Sequence, residues 1–420
     1  MAVKKYKAGK ILNKVLKLIA GIYFKHLFDY SMEVEQLQGI KTPYIVLANH
    51  TNFWDPFLLS MCIPVPVYFL TSDAYFRNPI LKQLLKLVGA IPKTKLVSDP
   101  LSIRAILGVV KRNGVIGIFP EGSRNWDGRT LPLLHPTAKL IKHLGIPVVT
   151  VVFKGACLSM PRWASSVRKG HLSMVISQVL DANETKLLSS DEIFSRISES
   201  LSYDEYDYQR EHMYPYKGQN MAERLELFLF ACPGCRSTDK LTSARETLCC
   251  SNCGYQVSYN AYGFFRTSGQ KLYFDNPRDW NNWQLNYLDA MITSQAASGS
   301  LLPLLQEHNI KMRIGQRTGS LKTRVTDGTL SIYPGRLEYS IDAKLILSFN
   351  IEEISGENVQ FNNQLEFICK KILYRFSVKD GNMSAYKWVN AIEILKRLYR
   401  QSTPSAKIKV KTKNTLEGNI

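Results

Sequence analysis

Short apolar runs alternate with helical patterns along the first half of the chain. Four runs rich in β-branched residues are predicted to be strands, at residues 44–48, 67–70, 115–119 and 148–153. Three segments with helical spacing of apolar residues lie among them, at residues 79–88, 101–111 and 137–144. The runs lack strict alternation, which is typical of strands buried on both faces of a sheet. We therefore predict an α/β domain with a mainly parallel sheet over residues 30–205.

Two-residue alternation of apolar and polar positions characterises the C-terminal part of the chain. It is clearest at residues 365–369 and 372–378, and turn signals stand at Asp327-Gly328 and Pro334-Gly335. This pattern predicts an antiparallel β domain, which we assign to residues 306–400.

A closing helix is predicted after these strands. It begins at Ser384 and places Trp388, Ile392 and Leu395 on one face. Several strands closed by one amphipathic helix that carries a tryptophan resemble a pleckstrin-homology or GRAM-type module. Residues 401–420, which follow, are predicted to form a basic tail.

The N-terminal segment, residues 1–29, is predicted to form a basic amphipathic helix. Several of its lysines fall on one stripe at 100° per residue, whereas apolar side chains cover most of the remaining surface. The stripe consists of Lys10, Lys14, Lys17 and Lys25. A wide apolar face beside a lysine stripe is typical of a helix that lies in the membrane interface. The alternative is a helix that caps the following domain, and the two arrangements are compatible.

Two connecting segments are predicted between the domains. Residues 206–227 are polar and rich in tyrosine, and we interpret them as a linker. Residues 263–305 form a helical connection, in which a helix is predicted to start at Asn276-Pro277. We interpret the apolar stripe of this helix as core. The stripe comprises Trp280, Trp283, Tyr287, Leu288 and Met291.

The charge balance narrows the range of partners. The chain has 420 residues, with 54 Lys and Arg against 35 Asp and Glu, which gives a net charge of +19. An excess of this size favours nucleic acid, an anionic membrane surface or phosphorylated substrates. Hydrophobic residues amount to 45%, which excludes overall disorder. The length itself favours two or three domains.

Apolar stretches are too short for membrane-spanning helices. None reaches the roughly 18–20 uncharged apolar residues that such a helix needs, and the nearest, residues 56–72, contains three prolines. A polytopic membrane protein is therefore excluded. No signal peptide is expected either, because the N-terminal apolar stretch is short, is bracketed by lysines and lacks a small-residue cleavage pattern.

Four cysteines form two Cys-x-x-Cys pairs in the middle of the chain. Cys232 pairs with Cys235 and Cys250 with Cys253, and 14 residues separate the pairs. Four thiolates complete a closed tetrahedral shell, so the metal is expected to be structural. The clustering favours a metal site in a reducing compartment over a disulfide framework. We predict a zinc ribbon over residues 228–262, with rubredoxin-type iron as the minor alternative.

A histidine and an aspartate directly follow the first predicted strand. His50 and Asp55 are five positions apart, just after residues 44–48. In parallel sheets, ligands bind beyond the carboxyl ends of the strands. Each residue also has a simpler interpretation. Asp55, followed by Pro56, would cap a short helix that runs to Cys62, and His50 would be a hydrogen-bonded core histidine.

A second polar cluster follows the third predicted strand. Its residues are Glu121, Gly122, Ser123 and Arg124. Glycine allows the backbone to approach an anion closely, and the Arg124 guanidinium offers two parallel donors to phosphate oxygens. Lys93 and Lys95, after the helix at residues 79–88, add cations suited to a phosphate. The two strand-end clusters are expected to converge on one cleft.

Together these motifs resemble the 1-acylglycerol-3-phosphate acyltransferase family of glycerolipid acyltransferases. The resemblance covers residues 30–205, less than half of the chain. His50 and Asp55 match the first motif of the family, residues 119–124 match the third and residues 146–149 match the fourth. The order of the motifs also fits.

The second motif departs from the family pattern. Lys95 stands where the family usually carries an arginine, six residues after Gly89. Lysine keeps the positive charge but loses the planar fork. The resemblance implies that Glu121 and Arg124 hold a glycerol phosphate. Gly122, Ser123, Lys93 and Lys95 complete the expected substrate-binding set.

The expected chemistry fits these residues. Attack of a glycerol hydroxyl on an acyl thioester needs a base within hydrogen-bonding reach. We assign that base to His50, since a neutral imidazole is available near pH 7. Asp55 would fix the ring tautomer and stabilise the imidazolium. Direct transfer in a ternary complex is expected, with no enzyme-bound nucleophile and no catalytic cofactor.

The predicted function is formation of phosphatidic acid in phospholipid biosynthesis. The donor is acyl coenzyme A or acyl carrier protein, and the partners are lysophosphatidic acid and a membrane lipid surface. We expect peripheral attachment at the cytoplasmic face. The alternatives are another lysophospholipid as acceptor, or a non-catalytic lipid-binding adaptor. A nucleic-acid-binding protein is a further interpretation, but the ribbon segment lacks a marked basic cluster, so no nucleic-acid partner is expected.

Overall fold

Three structural units follow one another along the chain. The computed structural model describes residues 9–33, 37, 39–93, 99–316, 321–378 and 383–402. Lys95 and residues 403–420 of the predicted basic tail therefore lie outside the described residues. The units are an α/β domain, a small four-stranded sheet and a seven-stranded antiparallel sheet closed by a helix.

The first domain is built on a seven-stranded, mostly parallel sheet. Its strands are β1 (Phe28–Glu33), β2 (Ile45–Ala48), β3 (Val67–Ser72), β4 (Ile91–Lys93), β5 (Val115–Ile118), β6 (Val148–Lys154) and β7 (Gly170–Leu180). Their order is β1-β7-β6-β2-β5-β3-β4, and the β6–β7 pair is antiparallel while the other pairs are parallel. The four predicted strands are confirmed. The sequence analysis missed β1, β4 and β7, because polar residues interrupt their apolar patterns.

Helices cover both faces of this sheet. They are α1 (Lys10–Leu27), α2 (Asp55–Cys62), α3 (Pro79–Leu87), α4 (Pro100–Val110), α5 (Pro136–Leu144), α6 (Ala156–Ser159), α7 (Ala182–Leu187), α8 (Ser190–Leu201) and α9 (Glu205–His212). Strand β2 illustrates the layering. Val46 and Ala48 belong to the core under α1 and α2, whereas Ile45 and Leu47 belong to the core under α4, α5 and α8. The three predicted helices are confirmed to within a residue or two.

Helix α1 both packs on the domain and exposes an apolar surface. Phe24 is buried in the core beside Trp54, with ring centroids 5.5 Å apart. Lys17 turns inward and donates hydrogen bonds to the backbone carbonyls of Ile63 and Val65, so the predicted lysine stripe is not uniformly solvated. Burial lowers the pKa of Lys17.

The connection over residues 206–227 packs against the first domain and is not a loose linker. Its beginning overlaps α9, and its backbone forms an antiparallel bridge between Lys217 and Lys169. The buried Tyr216 hydroxyl donates to the backbone carbonyl of His171 at 2.8 Å. Residues 206–227 do connect two units, as predicted, but tyrosine rings of the segment serve as packing surface.

A small antiparallel sheet and a long helix form the middle unit. The strands are β8 (Leu241–Ala244), β9 (Thr247–Cys250), β10 (Gln256–Tyr259) and β11 (Phe265–Arg266), and the helix is α10 (Pro277–Ala297). The Asn276 side chain caps α10 by accepting the Asp279 N–H at 2.9 Å. Trp280 is fully buried and its indole N–H donates to the Ala231 carbonyl at 2.9 Å. The predicted helix start and the core assignment of its stripe are confirmed.

The C-terminal domain is an antiparallel sheet closed by one helix, as predicted. Its elements are β12 (Leu305–Gly315), β13 (Lys322–Ile332), β14 (Arg336–Ile341), β15 (Lys344–Asn350), β16 (Ser355–Gln360), β17 (Gln364–Cys369), β18 (Ile372–Val378) and α11 (Ala385–Ser402). The strand order is β15-β14-β13-β12-β18-β17-β16. Trp388, Ile392 and Leu395 of α11 are all buried against the sheet.

The turn predicted at Asp327-Gly328 is wrong, since both residues lie inside β13. The pairing of β12 with β13 shifts register here, and Asp327 has a φ of +67°. A side chain at Gly328 would meet the Tyr339 ring, because an added Cβ would lie 2.2 Å from it. Bulges and hairpin turns need the same left-handed backbone, so the dipeptide alone does not distinguish them.

Candidate active site

His50 and Asp55 face each other across the loop between β2 and α2. The Nδ1 atom of His50 lies 2.7 Å from Oδ2 of Asp55. The same oxygen accepts hydrogen bonds from the backbone N–H groups of Thr51 and Asn52, at 2.7 and 3.0 Å. Asp55 is fully buried, whereas 21% of the His50 side chain is exposed. The buried carboxylate therefore holds a ring that still reaches the surface.

The simpler interpretations of these two residues are wrong. Trp54 occupies the N-cap position of α2, and Asp55 is the first helical residue. The Asp55 carboxylate bonds to N–H groups of the preceding loop rather than to those of the first turn of α2. His50 is not a core histidine, because it lines a large cavity.

The surroundings of the His50 ring select its tautomer. Because Nδ1 faces a carboxylate, it carries the proton, and the lone pair of the neutral ring lies on Nε2. The Phe119 ring stacks on the imidazole, with centroids 4.2 Å apart and planes inclined by 22°. The ring is thus held at its edge by Asp55 and on its face by Phe119.

Glu121 connects the second polar cluster to the first. Its Oε1 accepts the backbone N–H of His50 at 2.5 Å, and its Oε2 accepts that of Leu131 at 2.8 Å. The side chain is buried and does not belong to the described cavity wall. Burial raises the pKa of Glu121 to about 8. Through these contacts Glu121 fixes the His50 loop, while its contact with the substrate stays a prediction.

Gly122, Ser123 and Arg124 lie on the cavity wall with His50. Gly122 has a φ of +71°, a conformation that glycine adopts without strain. The Arg124 guanidinium donates to the side-chain oxygen of Asn362 at 3.0 Å. Among the described residues, no carboxylate lies within salt-bridge distance of Arg124. Lys93 also lines the cavity, so both predicted clusters and this lysine converge on one space.

The cavity has a charged end and a large apolar part. Its volume is about 730 Å³. Apolar side chains from α1, α2, α3 and α5 line it, and three residues of the C-terminal domain close one side. The apolar lining includes Leu16, Ala20, Phe57, Leu85, Val88 and Leu140. A cavity of this kind accommodates an amphipathic molecule with an anionic end.

Two asparagines that the sequence analysis left without a role tie the His50 loop to β6 and α6. The Asn49 amide donates to the Phe153 carbonyl at 3.0 Å and accepts the Phe153 N–H at 2.7 Å. The Asn52 amide donates to the Ala156 carbonyl at 2.9 Å. Both asparagines are buried. Their positions beside His50 in the sequence were the signal that could have indicated a role in the site.

Arg162 contacts two residues of the second polar cluster, and no feature of the sequence predicted this contact. Its guanidinium donates to the Arg124 carbonyl at 2.6 Å, to the Ser123 hydroxyl at 3.3 Å and to the Val359 carbonyl at 3.0 Å. It also lies 4.5 Å from the centre of the Trp126 ring. The side chain therefore joins residues that are far apart in the chain.

The four predicted metal ligands lie together, on the middle unit. The Sγ atoms of Cys232 and Cys253 are 3.7 Å apart, those of Cys235 and Cys250 are 3.8 Å apart, and all four lie within 4.8 Å of one another. Four sulfurs at about 2.3 Å from a tetrahedral zinc ion would be about 3.8 Å apart. The thiol set therefore fits a tetrahedral thiophilic metal, and Cys249 stays outside it.

Comparison with known proteins finds similarity in the first domain. Residues 31–154 match the family model described as Acyltransferase, and this range includes both polar clusters. A chloroplastic 1-acyl-sn-glycerol-3-phosphate acyltransferase of Brassica napus is 25% identical over 199 residues, which are 46% of this chain and 57% of the relative. A 1-acyl-sn-glycerol-3-phosphate acyltransferase of Bacillus subtilis is 22% identical over 160 residues, covering 38% of this chain and 77% of the relative.

The match covers only part of each protein. The chain spans 57% and 54% of the lengths of the first two curated relatives. Among solved structures, the 1-acyl-sn-glycerophosphate acyltransferase PlsC of Thermotoga maritima is similar, with a TM-score of 0.41 and 20% identity. That similarity covers 45% of this chain and 76% of the other.

Glu121 is expected to make the folded state less stable as pH rises. Because burial raises its pKa from 4.5 to about 8, the folded protein keeps the proton in this interval while the unfolded chain releases it. Stability contributed by this proton is full below pH 4.5 and is lost as pH approaches 8. Glu121→Gln should therefore flatten the pH dependence of the unfolding free energy by one proton, about 1.4 kcal/mol per pH unit.

Glu205 provides a matched comparison for this measurement. It is fully buried, accepts the N–H groups of Gly155 and Cys157, and burial likewise raises its pKa to about 8. The measurement is urea unfolding followed by circular dichroism between pH 5 and pH 7. Each single Glu→Gln change should lower the number of protons released on unfolding by one, and the double change should lower it by two. A wild-type slope in Glu121→Gln would mean that the folded protein carries Glu121 ionised.

Proposed function

We propose that the chain transfers a fatty acyl group from an acyl thioester to the free hydroxyl of 1-acylglycerol-3-phosphate, because residues 31–154 match the Acyltransferase family model and the similar curated proteins carry that activity in their names. The product is phosphatidic acid. The observation that carries the proposal is the His50–Asp55 pair, 2.7 Å apart, whose His50 ring lies on the wall of a cavity that Arg124 also lines.

His50 acts as the base in the proposed reaction. Its Nε2 takes the proton of the acceptor hydroxyl as the oxygen attacks the thioester carbonyl carbon and a C–O bond forms. The tetrahedral intermediate then breaks its C–S bond, and the imidazolium returns the proton to the leaving thiolate. The products are an ester and a free thiol, so the step needs no further reactant. The buried Asp55 carboxylate stabilises the imidazolium through Nδ1.

Arg124 and Lys93 bind the phosphate of the proposed acceptor. Both line the cavity with His50, and Ser123 adds a hydroxyl on the same wall. A guanidinium binds phosphate through two parallel N–H donors, which orients the acceptor as well as attracting it. Lys95 belongs to the proposed phosphate site on sequence grounds alone, since it lies outside the described residues.

The apolar part of the cavity accommodates acyl chains. Phe57 of α2 and Leu85 of α3 line it, together with Val88 at the end of α3. The acyl donor, whether acyl coenzyme A or acyl carrier protein, would present its chain to this apolar wall and its thioester to His50. Both donors carry the same acyl thioester group, so the proposed reaction is the same with either one.

We further propose that α1 and α3 bind the surface of a membrane. Ile11, Leu18 and Ile22 of α1 expose 82%, 65% and 65% of their surface, and Ile80 of α3 exposes 74%. The start of α1 contacts the end of α3 through a backbone hydrogen bond, so the two apolar surfaces adjoin. In the described residues, no helix is both long and apolar enough to cross a bilayer. The positive net charge favours anionic lipid.

Zinc is the proposed metal of the four-cysteine cluster. Cys232, Cys235, Cys250 and Cys253 would hold it with four thiolates, a closed shell that stabilises folding without taking part in acyl transfer. The cluster adjoins the C-terminal domain, because the buried Lys387 of α11 bonds to Asp239 in the loop that follows Cys235. The metal would therefore support the placement of the C-terminal domain.

Replacement of His50 by alanine tests the proposed reaction. His50→Ala should lower kcat about a thousandfold with lysophosphatidic acid, because a positioned general base contributes roughly 10²–10⁴-fold. Acyl transfer would be measured by mass spectrometry with acyl coenzyme A and acyl carrier protein as donors and a panel of lysolipid acceptors. His143→Ala, an exposed histidine on α5, serves as the control and should retain activity. Wild-type rates in folded His50→Ala protein would disprove the base assignment.

The membrane surface is tested by placing charge on α1. Leu18→Asp with Ile22→Asp should weaken sedimentation with vesicles of phosphatidylglycerol and phosphatidylcholine by about tenfold or more, through lost apolar burial and added repulsion. Leu187→Asp changes a leucine that is still more exposed, at 82%, on α7 at the opposite face of the sheet, and this variant should bind like wild type. Equal losses in both proteins would contradict a surface centred on α1.

Metal analysis tests the cysteine cluster. Protein purified without chelator should contain one zinc ion per chain, and Cys235→Ser should lose it and unfold at a lower temperature. Cys249→Ser is the matched control, because this neighbouring cysteine lies outside the cluster and should leave the zinc content unchanged. This proposal would be refuted if wild-type protein contained no zinc, or if it contained iron at this site.

A further inference from the structure

The C-terminal domain reaches into the cavity of the first domain. The end of β16 and the turn to β17 contribute Val359, Gln360 and Phe361 to the cavity wall. The next residue, Asn362, accepts a hydrogen bond from the Arg124 guanidinium at 3.0 Å. The side chain proposed to bind the acceptor phosphate is thus contacted by a residue 238 positions away.

Buried polar contacts anchor this turn on both sides. Arg162 donates to the Val359 carbonyl at 3.0 Å and to the Arg124 carbonyl at 2.6 Å, so one guanidinium joins the two loops. On β17, Glu366 accepts hydrogen bonds from Arg77 of the first domain at 3.0 Å and from Arg375 of β18 at 2.8 Å. These groups are buried or nearly so, and a buried ion pair with several donors specifies one arrangement of the parts it joins.

The chemical nature of the Asn362 contact distinguishes it from an ordinary salt bridge. A carboxylate at this position would neutralise Arg124, whereas an amide oxygen orients the guanidinium and leaves its charge uncompensated. Among the described residues, Asn362 is the side chain that bonds to the Arg124 guanidinium. The positive charge of Arg124 is therefore left for an anionic ligand while one edge of its fork is held in place.

We propose that residues 360–362 of the C-terminal domain form part of the acceptor site, and that Asn362 is a positioning residue for Arg124. The inference rests on the proposed function, since it concerns recognition of a phosphomonoester acceptor at the same cavity. Headgroup recognition is then a joint property of two domains. The C-terminal domain contributes to the acceptor site directly, in addition to any contact with lipid elsewhere on its surface.

Two substitutions at residue 362 separate orientation from charge. Asn362→Gly removes the amide and suits the backbone, whose φ is +70°. It should raise KM for lysophosphatidic acid about fivefold, as expected for loss of one hydrogen bond to a charged group, with little change in kcat. Asn362→Asp keeps the shape but pairs Arg124 with a carboxylate. It should raise the same KM by more than Asn362→Gly does, with the KM for the acyl donor unchanged in both.

Asn309→Asp is the matched control. Asn309 is exposed on β12 of the same sheet, has a φ of +57° and lies outside the described cavity wall. It adds the same charge to the same domain and should leave the acceptor KM unchanged. Thermal unfolding of all three variants, followed by circular dichroism, checks that each variant is folded before the KM values are compared.

The outcomes distinguish this inference from the proposed function. An active wild type whose acceptor KM is unchanged in both Asn362 variants would overturn the inference and leave the proposed function standing. Equal increases in Asn362→Asp and Asn309→Asp would also overturn it, because they would reflect general repulsion. A wild type inactive towards every lysolipid and donor would overturn the proposed function and the inference together.

Discussion

A buried carboxylate organises the catalytic end of the first domain. Asp55 is removed from water, so donors must compensate its charge, and three of them converge on its Oδ2 atom: the His50 ring and the backbone N–H groups of Thr51 and Asn52. They reach that oxygen only if the loop after β2 turns back tightly over the start of α2. The same turn places the imidazole at the carboxyl edge of the sheet with its proton on Nδ1. One constraint thus sets the backbone path, the orientation of the ring and its tautomer.

The part of the cavity wall around Arg124 is assembled from distant parts of the chain. Arg162 shows how closely they depend on one another: burial, and secondly the charge of nearby Arg124, lower the pKa of Arg162. The buried guanidinium is tolerated because the carbonyls of Arg124 and Val359 accept its N–H groups and the Trp126 ring covers it. Removing the C-terminal domain would take away one of these acceptors. The loop that carries Arg124 is therefore held in part by a contact with the C-terminal domain.

Apolar surface continues from the cavity to the outside of the protein along α1 and α3. Leu16 and Ala20 of α1 line the cavity, while Leu18 and Ile22 of the same helix face outward. Phe24 meanwhile packs in the core. A single helix serves all three environments because its residues point in different directions around the axis. Helix α1 therefore caps the domain, and its outward apolar residues are those of the proposed membrane contact.

Local sequence patterns predicted many of the elements and the residues that we propose to carry the chemistry. Buried apolar runs predicted β2 and β5, and His50, Asp55 and Arg124 were found because they directly follow those strands. Spacing alone likewise indicated the four-cysteine cluster. Tertiary structure decided the rest. It turned Asp327-Gly328 into a bulge, packed residues 206–227 against the first domain and directed Glu121 to the His50 backbone. It also brought Arg162 and Asn362 to Arg124. Hydrophobic periodicity and backbone preference act over a few residues and are visible in sequence, whereas these partners are chosen by how whole domains pack, which no local pattern records.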